Sequence, residues 1–314
     1  MKKAPAVACA LLAGFLFGCA GKGLTPPPPR APLSSGSEAM PADLDLVVRI
    51  DLERVRSALG PELVGQLRRA ARVSAAVDDT EELVSGALEQ ADVVLLGLRP
   101  RSSTVLDHVF VLEGSFKRFD PGATHARPAW TPAQDIGGDF RRWDRAKAPA
   151  RAAPARIYAF GERMVIIASL AEVDSTERSV ELGYRKGALV PPSKGVVSFA
   201  ARVLPLSFAL ESRSPRLARW LRAAETLEGS AEIASDGVQL ELALKVDSPQ
   251  TAEQLRNVLQ ALSELFALRG SVKELAEAAK FETAGNYVVC RAALGRDTLA
   301  KWLSCAEKDS PCAW

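Results

Sequence analysis

The chain has 314 residues, 47% of them hydrophobic, with 40 basic side chains against 38 acidic ones. This is enough apolar material for a sizeable core, and the length favours two domains. Removing residues 1–18 takes away two lysines and no acids, which leaves 38 basic and 38 acidic residues. The balance excludes the strongly basic surface that is typical of nucleic-acid-binding domains.

The first eighteen residues have the composition of a secretory signal. Lys2 and Lys3 precede an apolar stretch at 4–17, and the small residue Gly18 follows it, in the order of the three parts of such a signal. The stretch is too short for a transmembrane helix, because about 20 apolar residues are needed to cross a bilayer. We therefore predict that residues 1–18 are cleaved.

The end of this signal reads Leu16-Phe17-Gly18-Cys19. The tetrad resembles the lipobox of bacterial lipoproteins, in which the cysteine becomes the mature N-terminus and carries acyl chains such as palmitate. Two or three acyl chains hold a protein stably on a membrane, so the resemblance implies a lipid anchor at Cys19. The alternatives are an ordinary signal with a chance cysteine and, more weakly, a lipobox at Cys9, which has almost no apolar stretch before it.

Residue 20 is alanine. Lipoproteins with aspartate at this position tend to stay in the inner membrane, so the resemblance implies the outer membrane for this chain. The periplasmic face is the expected side of that membrane, and the cell surface is the alternative.

Residues 19–43 are predicted to form a tether that follows the acylated cysteine. The run Thr25–Pro32 contains five prolines, which favours an extended polyproline conformation at about 3.1 Å per residue, and a Ser/Gly stretch follows it. Such a tether would hold the folded part some tens of ångströms from the bilayer.

Alternating apolar residues mark the start of the globular part. Leu44, Leu46, Val48 and Ile50 repeat with the period of two that a strand requires. The pattern that follows predicts helices at 61–71 and 79–89, strands at 92–98 and 105–115, a Pro-rich region to about 138, a strand at 140–143, a hairpin at 156–168 and a helix at 170–183.

A second series of elements begins after Pro191 and Pro192. It includes Asp236-Gly237, a strong signal for a two-residue hairpin turn. The pattern predicts a strand at 195–203, helices at 215–224 and 249–268, a hairpin at 228–246, a short helix, strands at 279–284 and 287–294, and a last helix at 297–305.

Both series run in the same order of strand, helix, hairpin, connection or helix, hairpin and helix. We therefore predict an α+β fold of two pseudo-repeated units, residues 44–190 and 194–314, each an antiparallel sheet with helices packed on one face. This order loosely resembles uncharacterised bacterial lipoproteins with repeated α+β units. That resemblance carries no catalytic residues with it.

Three cysteines remain in the mature chain besides Cys19, namely Cys290, Cys305 and Cys312. One disulfide is plausible in an oxidising periplasm, and a Cys305–Cys312 pair would close the shortest loop. Cys290 lies in an apolar strand, where a free thiol behaves as a small hydrophobe. Pairings of Cys290 with either of the other two stay open, since connectivity cannot be read from sequence.

No motif for catalysis, metal binding or nucleotide binding is present. His108 and His125 have no second ligand at metal-binding spacing, so a packed and a solvated histidine are expected. There is no nucleophile elbow, phosphate-binding loop or dinucleotide fingerprint. We predict no metal, no cofactor and no enzymatic activity, and a carboxylate-dependent enzyme of unfamiliar type is the alternative.

The acidic run at 78–82 could be interpreted as a calcium site. Asp79 as a helix N-cap, with Glu82 three residues later, explains the run better through capping and the helix dipole. Ser169 and Glu172 have the same spacing, so we interpret them as a second capping box.

One segment, residues 141–156, is strongly basic, and Asp144 is its only acid. We interpret it as a candidate contact with anionic envelope material such as lipid head groups, lipopolysaccharide or acidic glycans, since each base near an anionic membrane contributes about 1 kcal/mol. A solvated loop is the alternative. The basic residues are Arg141, Arg142, Arg145, Lys147, Arg151 and Arg156.

Together these features predict a lipid-anchored periplasmic protein that binds another envelope component, a protein, glycan or lipid, without catalysis. The alternative function is a carrier that holds an apolar ligand or lipid between helices and sheet. No nucleic-acid partner is expected.

Overall fold

Twelve strands form one antiparallel sheet in the computed structural model of this chain. The structure describes residues 33–58, 79–100, 106–117, 119–121, 130–133, 140–147, 150–151, 153–181, 187–205, 211, 215–267, 273–295 and 298. The strands are β1 (Leu46–Asp51), β2 (Ala91–Pro100), β3 (Leu106–Gly114), β4 (Trp130–Pro132), β5 (Phe140–Arg145), β6 (Pro154–Phe160), β7 (Met164–Ser169), β8 (Val197–Arg202), β9 (Ala224–Ala234), β10 (Gly237–Val246), β11 (Lys280–Ala284) and β12 (Tyr287–Gly295). The helices whose bounds the structure gives are α1 (Gly36–Ala39), α2 (Asp79–Gln90), α3 (Val173–Val180), α4 (Pro215–Leu221), α5 (Pro249–Ala267) and α6 (Lys273–Ala278), and residues 52–58 are also helical.

The strand order across the sheet is β11-β12-β10-β9-β8-β1-β2-β3-β7-β6-β5-β4. At the middle, β1 pairs with β8, so that Val47 lies opposite Ala200 and Arg49 opposite Ser198. Strands from the first series lie on one side of this pair, and strands from the second series lie on the other.

The predicted fold class is therefore wrong in its architecture. It gave each half a sheet of its own with helices on one face, whereas the β1–β8 pair joins all twelve strands into a single sheet. The first strand of each half has an edge of unpaired backbone groups, and pairing the two edges satisfies both. Residues Leu33–Trp314 make one compact unit, and the predicted boundary at 190–194 lies between α3 and β8 and stays a prediction.

Most predicted elements are present with bounds shifted by a few residues. Gly161 and Gly285 allow the tight hairpin turns, since their φ angles of 55° and 61° are in the left-handed region. α5 begins at Pro249 because the Ser248 hydroxyl accepts a 3.2 Å hydrogen bond from the Thr251 N–H. The predicted helix 61–71 and nearly all of the predicted helix 297–305 lie outside the described residues.

Residues 33–44, which we call the strap, pack against the sheet. The side chains of Leu33, Met40 and Leu44 are buried. Gly97 leaves the space for two of them, because a Cβ there would lie 2.4 Å from Leu44 Cδ1 and 3.1 Å from Met40 Sδ. Of the range predicted as a tether, residues 33–43 thus belong to the folded body, and residues 19–32 lie outside the described part of the chain.

Arginines fasten both ends of the strap. Arg163 donates a 2.6 Å hydrogen bond to the Leu33 carbonyl. Arg202 donates to the carbonyls of Leu44 and Ala42 at 3.0 Å and 2.9 Å. The strap begins at the β6–β7 turn and ends beside β8.

Helices cover both faces of the sheet, which is a second departure from the prediction. The strap and α3 cover one face, which we call the strap face, over a core that includes Val47, Val111 and Ile166. On the opposite face, α2 covers one cluster with Leu83 and Ala87. α4 and α5 cover a separate cluster on that face; its members include Leu221, Leu244, Ala252, Leu255 and Val288.

Candidate functional site

A line of apolar residues crosses eight strands on the face opposite the strap. The strand registers place these residues side by side, one per strand. At about 4.8 Å between strands, the line is about 34 Å long. We call it the apolar row, and its members in order are Phe110, Leu96, Val48, Phe199, Gly229, Leu242, Cys290 and Phe281.

The apolar row lies between two covered clusters and is itself only partly covered. The residues that lie two positions away from the row on the same strands are buried. Val94 and Leu112 belong to the cluster under α2, and Leu244 and Val288 belong to the cluster under α5. In the row, Leu242 is 37% exposed, and the other members except Gly229 have intermediate exposure. Soluble proteins rarely leave contiguous apolar surface in contact with water unless it binds something.

Gly229 keeps the row continuous. A Cβ at this position would lie 2.4 Å from Phe199 Cε1 and 2.7 Å from Leu242 Cδ2. The absent side chain lets these two neighbours close over the backbone of β9, so no polar group interrupts the row there.

Cys290 contributes an apolar side chain to the row. It is a free cysteine of intermediate exposure, and burial raises the pKa of its thiol. A raised pKa keeps the sulfur protonated, which is the inert form. The behaviour of Cys290 as a small hydrophobe stays a prediction. Cys19, Cys305 and Cys312 lie outside the described residues, so the lipid anchor and the disulfide stay predictions.

The basic segment is divided between the two faces of the sheet. On the strap face, Arg156 donates to Asp144 at 2.6 Å and to Glu177 at 2.9 Å, and Arg142 donates to Glu181 at 3.1 Å. Burial lowers the pKa of Arg156, but hydrogen bonds to Tyr158 and Asp144 raise it further, to above its ordinary value. These two arginines therefore hold α3 against β5 and β6.

Arg141 and Arg145 lie on the opposite face of β5, against buried tryptophans. The Arg141 guanidinium is 5.4 Å from the ring centre of Trp143, and that of Arg145 is 5.9 Å from Trp130. The cation–π contact of Arg141 positions its guanidinium without neutralising it. Exposed Arg141 makes no ion pair with any residue that the structure describes.

The remaining two basic residues lie at the β5–β6 connection. Arg151 is 3.4 Å from buried Asp107, and Lys147 is exposed and has no ion pair within the described parts of the chain. The structure thus does not bring the six basic residues together in one patch. Their proposed contact with anionic surfaces stays a prediction, and Arg141 and Lys147 are the members that geometry favours for it.

A buried ion pair, which the sequence did not suggest, fastens the strap to α3. Glu172 accepts hydrogen bonds from Arg99 at 2.7 Å and from the Ser175 hydroxyl at 2.6 Å. The hydrogen bond to Glu172 raises the pKa of Arg99. Arg99 also reaches Asp43 of the strap at 3.1 Å.

The interpretation of Ser169 and Glu172 as a capping box is wrong. Ser169 makes no capping hydrogen bond to the turn that follows it. Its hydroxyl accepts a 3.1 Å hydrogen bond from the His108 N–H, and Glu172 faces Arg99. Only the pairing of β7 with β3, and of β3 with β2, reveals these partners, which are remote in sequence.

His108 packs edge-on against Phe110, with 5.2 Å between ring centres. Among the described residues there is no group of three or more His, Cys, Asp or Glu side chains that could hold a metal ion. Within the same residues, no helix combines the length and hydropathy needed to cross a bilayer. His125 and the acidic residue Asp78 lie outside the described part.

No protein-family model and no curated protein sequence matches this chain. Crystal form I of TP0453, a Treponema protein, is similar in structure with a TM-score of 0.52 and 9% identity, covering 88% of this chain and 98% of TP0453. Crystal form III gives a TM-score of 0.50 and 9% identity over 87% and 98% of the two chains. At this identity the likeness shows a shared fold.

Proposed function

We propose that this protein is a lipid-anchored, non-enzymatic binding protein of the bacterial envelope, held on the periplasmic face of the outer membrane. The lipobox at Leu16–Cys19 supports the anchor. The likeness to TP0453, which is lipoprotein-like, supports the same class of protein.

The single observation that carries the binding role is the partly exposed apolar row. It has the width of one residue per strand and a length of about 34 Å. An acyl chain spans one leaflet of a bilayer, whose hydrocarbon thickness is about 15 Å, half of the roughly 30 Å core. The row is longer than such a chain. An acyl chain therefore fits along the row, whereas a protein partner would need a broader surface.

This geometry favours the carrier as the form that binding takes. The row offers burial to methylene groups, each worth about 0.8 kcal/mol when removed from water. A lipid anchor would keep the row near a bilayer and so raise the effective concentration of its ligand.

The anchor is tested by fractionating cells that produce the Cys19→Ser chain. We expect this variant to remain unprocessed or to leave the membrane fraction. A Cys19→Ser chain that is still cut after Gly18 and still membrane-bound would contradict the proposed anchor. An anchor failure would leave the binding surface untouched, so the two parts are tested separately.

Binding is tested by titrating the mature chain with a fluorescent fatty acid. We expect Leu242→Gln, in the middle of the row, to weaken binding several-fold, because a polar group then faces the acyl chain. Leu170→Gln is the matched control, since Leu170 is 42% exposed, similar to the 37% of Leu242, but lies outside the row. Equal affinities for the two variants would contradict the carrier function.

A further inference from the structure

One edge of the sheet, strand β11, is open to pairing. Its residues Lys280, Glu282, Thr283 and Ala284 are exposed. The opposite edge, β4, has three residues and ends at Pro132, which has no N–H to donate. Of the two terminal strands that the structure describes, β11 is thus the one that can accept a further strand.

The hairpin geometry identifies which backbone groups of β11 point outward. Ala284 and Tyr287 flank a two-residue turn and face each other across the hairpin. Such flanking residues exchange hydrogen bonds, and pairing alternates along the strands, so Phe281 and Thr283 direct their N–H and C=O groups away from β12. No described residue accepts a hydrogen bond from either N–H.

Glu282 pairs with Arg291 of β12 at 2.7 Å, and the charges of β11 also favour a partner strand with the same sequence. If two copies of β11 pair antiparallel about a two-fold axis at Phe281, Lys280 of each chain lies opposite Glu282 of the other. Moving the axis by one residue, to Glu282, would place the two Glu282 carboxylates opposite each other, which is unfavourable. The register with the axis at Phe281 therefore satisfies both the backbone and the charges.

The same register joins the two apolar rows. Phe281 is the last member of the row and lies on the face opposite Lys280 and Glu282. In the paired arrangement, the two Phe281 side chains become cross-strand neighbours, and the row continues from one chain into the next. Pairing at a single edge gives a closed dimer, because the β4 edge cannot propagate it.

We propose that β11 is a homodimerisation edge, through which two copies of this chain form a continuous sheet with the axis at Phe281. The interface is small, so association is concentration-dependent, and chains held on one membrane would favour it. This inference does not depend on what the apolar row binds.

The test is disulfide trapping of the mature chain in detergent, with cross-linked peptides identified by mass spectrometry. In the proposed register, the two Phe281 positions lie about 5.5 Å apart between Cα atoms, within the range that a disulfide allows. We expect Phe281→Cys to give a symmetric cross-link between the introduced thiols. Thr283→Cys is the matched control on the same strand and should give at least several-fold less.

Charge reversal provides a second, independent readout. In the Phe281→Cys background, Lys280→Glu and Glu282→Lys should each lower the cross-linking yield several-fold, and the double reversal should restore it. Melting curves confirm that each variant is folded. Equal trapping at the two positions, no effect of charge reversal, or no symmetric cross-link at any soluble concentration would overturn the proposal.

Discussion

Met40 distinguishes a folded strap from a free tether. Its side chain is 1% exposed and lies against Gly97. Met40→Ala removes three heavy atoms, a loss of about 2.4 kcal/mol at about 0.8 kcal/mol for each methylene-sized group, and the remaining cavity adds to this. We expect the free energy of unfolding to fall by about 3 kcal/mol.

The assay is urea unfolding of the mature chain, followed by far-UV circular dichroism. The matched control is Leu170→Ala, which truncates a side chain that is 42% exposed and should change the free energy of unfolding by less than about 0.5 kcal/mol. A Met40→Ala chain that unfolds at the same urea concentration as the control would refute the folded strap.

Three further predictions concern the charged and polar groups. Glu172→Gln removes the carboxylate that faces Arg99 in a buried site and should lower the free energy of unfolding by about 3 kcal/mol. The control Glu253→Gln, at an exposed pair with Arg256, should leave the urea midpoint unchanged. Burial raises the pKa of the Tyr158 hydroxyl. The stability that the neutral hydroxyl contributes is therefore complete below about pH 10, where unfolded tyrosine ionises, and is lost as the pH rises further. Tyr158→Phe should reduce the loss of unfolding free energy between pH 9 and about 12. Replacing Arg141 and Lys147 together by Gln should weaken flotation of the unacylated mature chain with anionic vesicles at low salt. An equal effect of the control Arg256→Gln would show that only total charge matters.

Local elements could be predicted from this sequence because their signals are local. Asp236-Gly237 predicted a hairpin turn, which the structure places one residue earlier, at Ser235 and Asp236, since Ala234 pairs with Gly237. Ser248-Pro249 predicted the start of α5. The alternation from Leu44 to Ile50 predicted a strand where β1 (Leu46–Asp51) lies.

The single sheet could not be predicted, because it depends on a pairing between strands about 150 residues apart. Val47 and Ala200 are apolar residues that would suit many partners, and nothing in their spacing names one. The strap was missed for a related reason. Ser34, Ser35 and Gly36 have the composition of a linker, and the space at Gly97 that receives Met40 and Leu44 exists only in the folded sheet.

The candidate site depends partly on local sequence signals and partly on pairing between distant strands. Each strand showed its apolar face in the sequence, so Cys290 could be assigned to such a face, but the apolar row arises only from the register of eight strands. Likewise, the basic segment was recognised as a run of charge. Its division between two faces follows from the alternation along β5 and from the carboxylates of Glu177 and Glu181. These lie 21 residues after Arg156 and 39 residues after Arg142.

The apolar row as an acyl-chain site is tested most directly by the reactivity of Cys290, which lies in the row between Leu242 and Phe281. The measurement is the rate of Cys290 alkylation in the mature chain, resolved by peptide mass spectrometry, with and without saturating palmitate. The account predicts that palmitate slows alkylation several-fold in the wild-type and Leu170→Gln chains, and slows it much less in Leu242→Gln. Palmitate that binds the wild-type chain without changing the rate at Cys290 would place the ligand elsewhere and contradict the account.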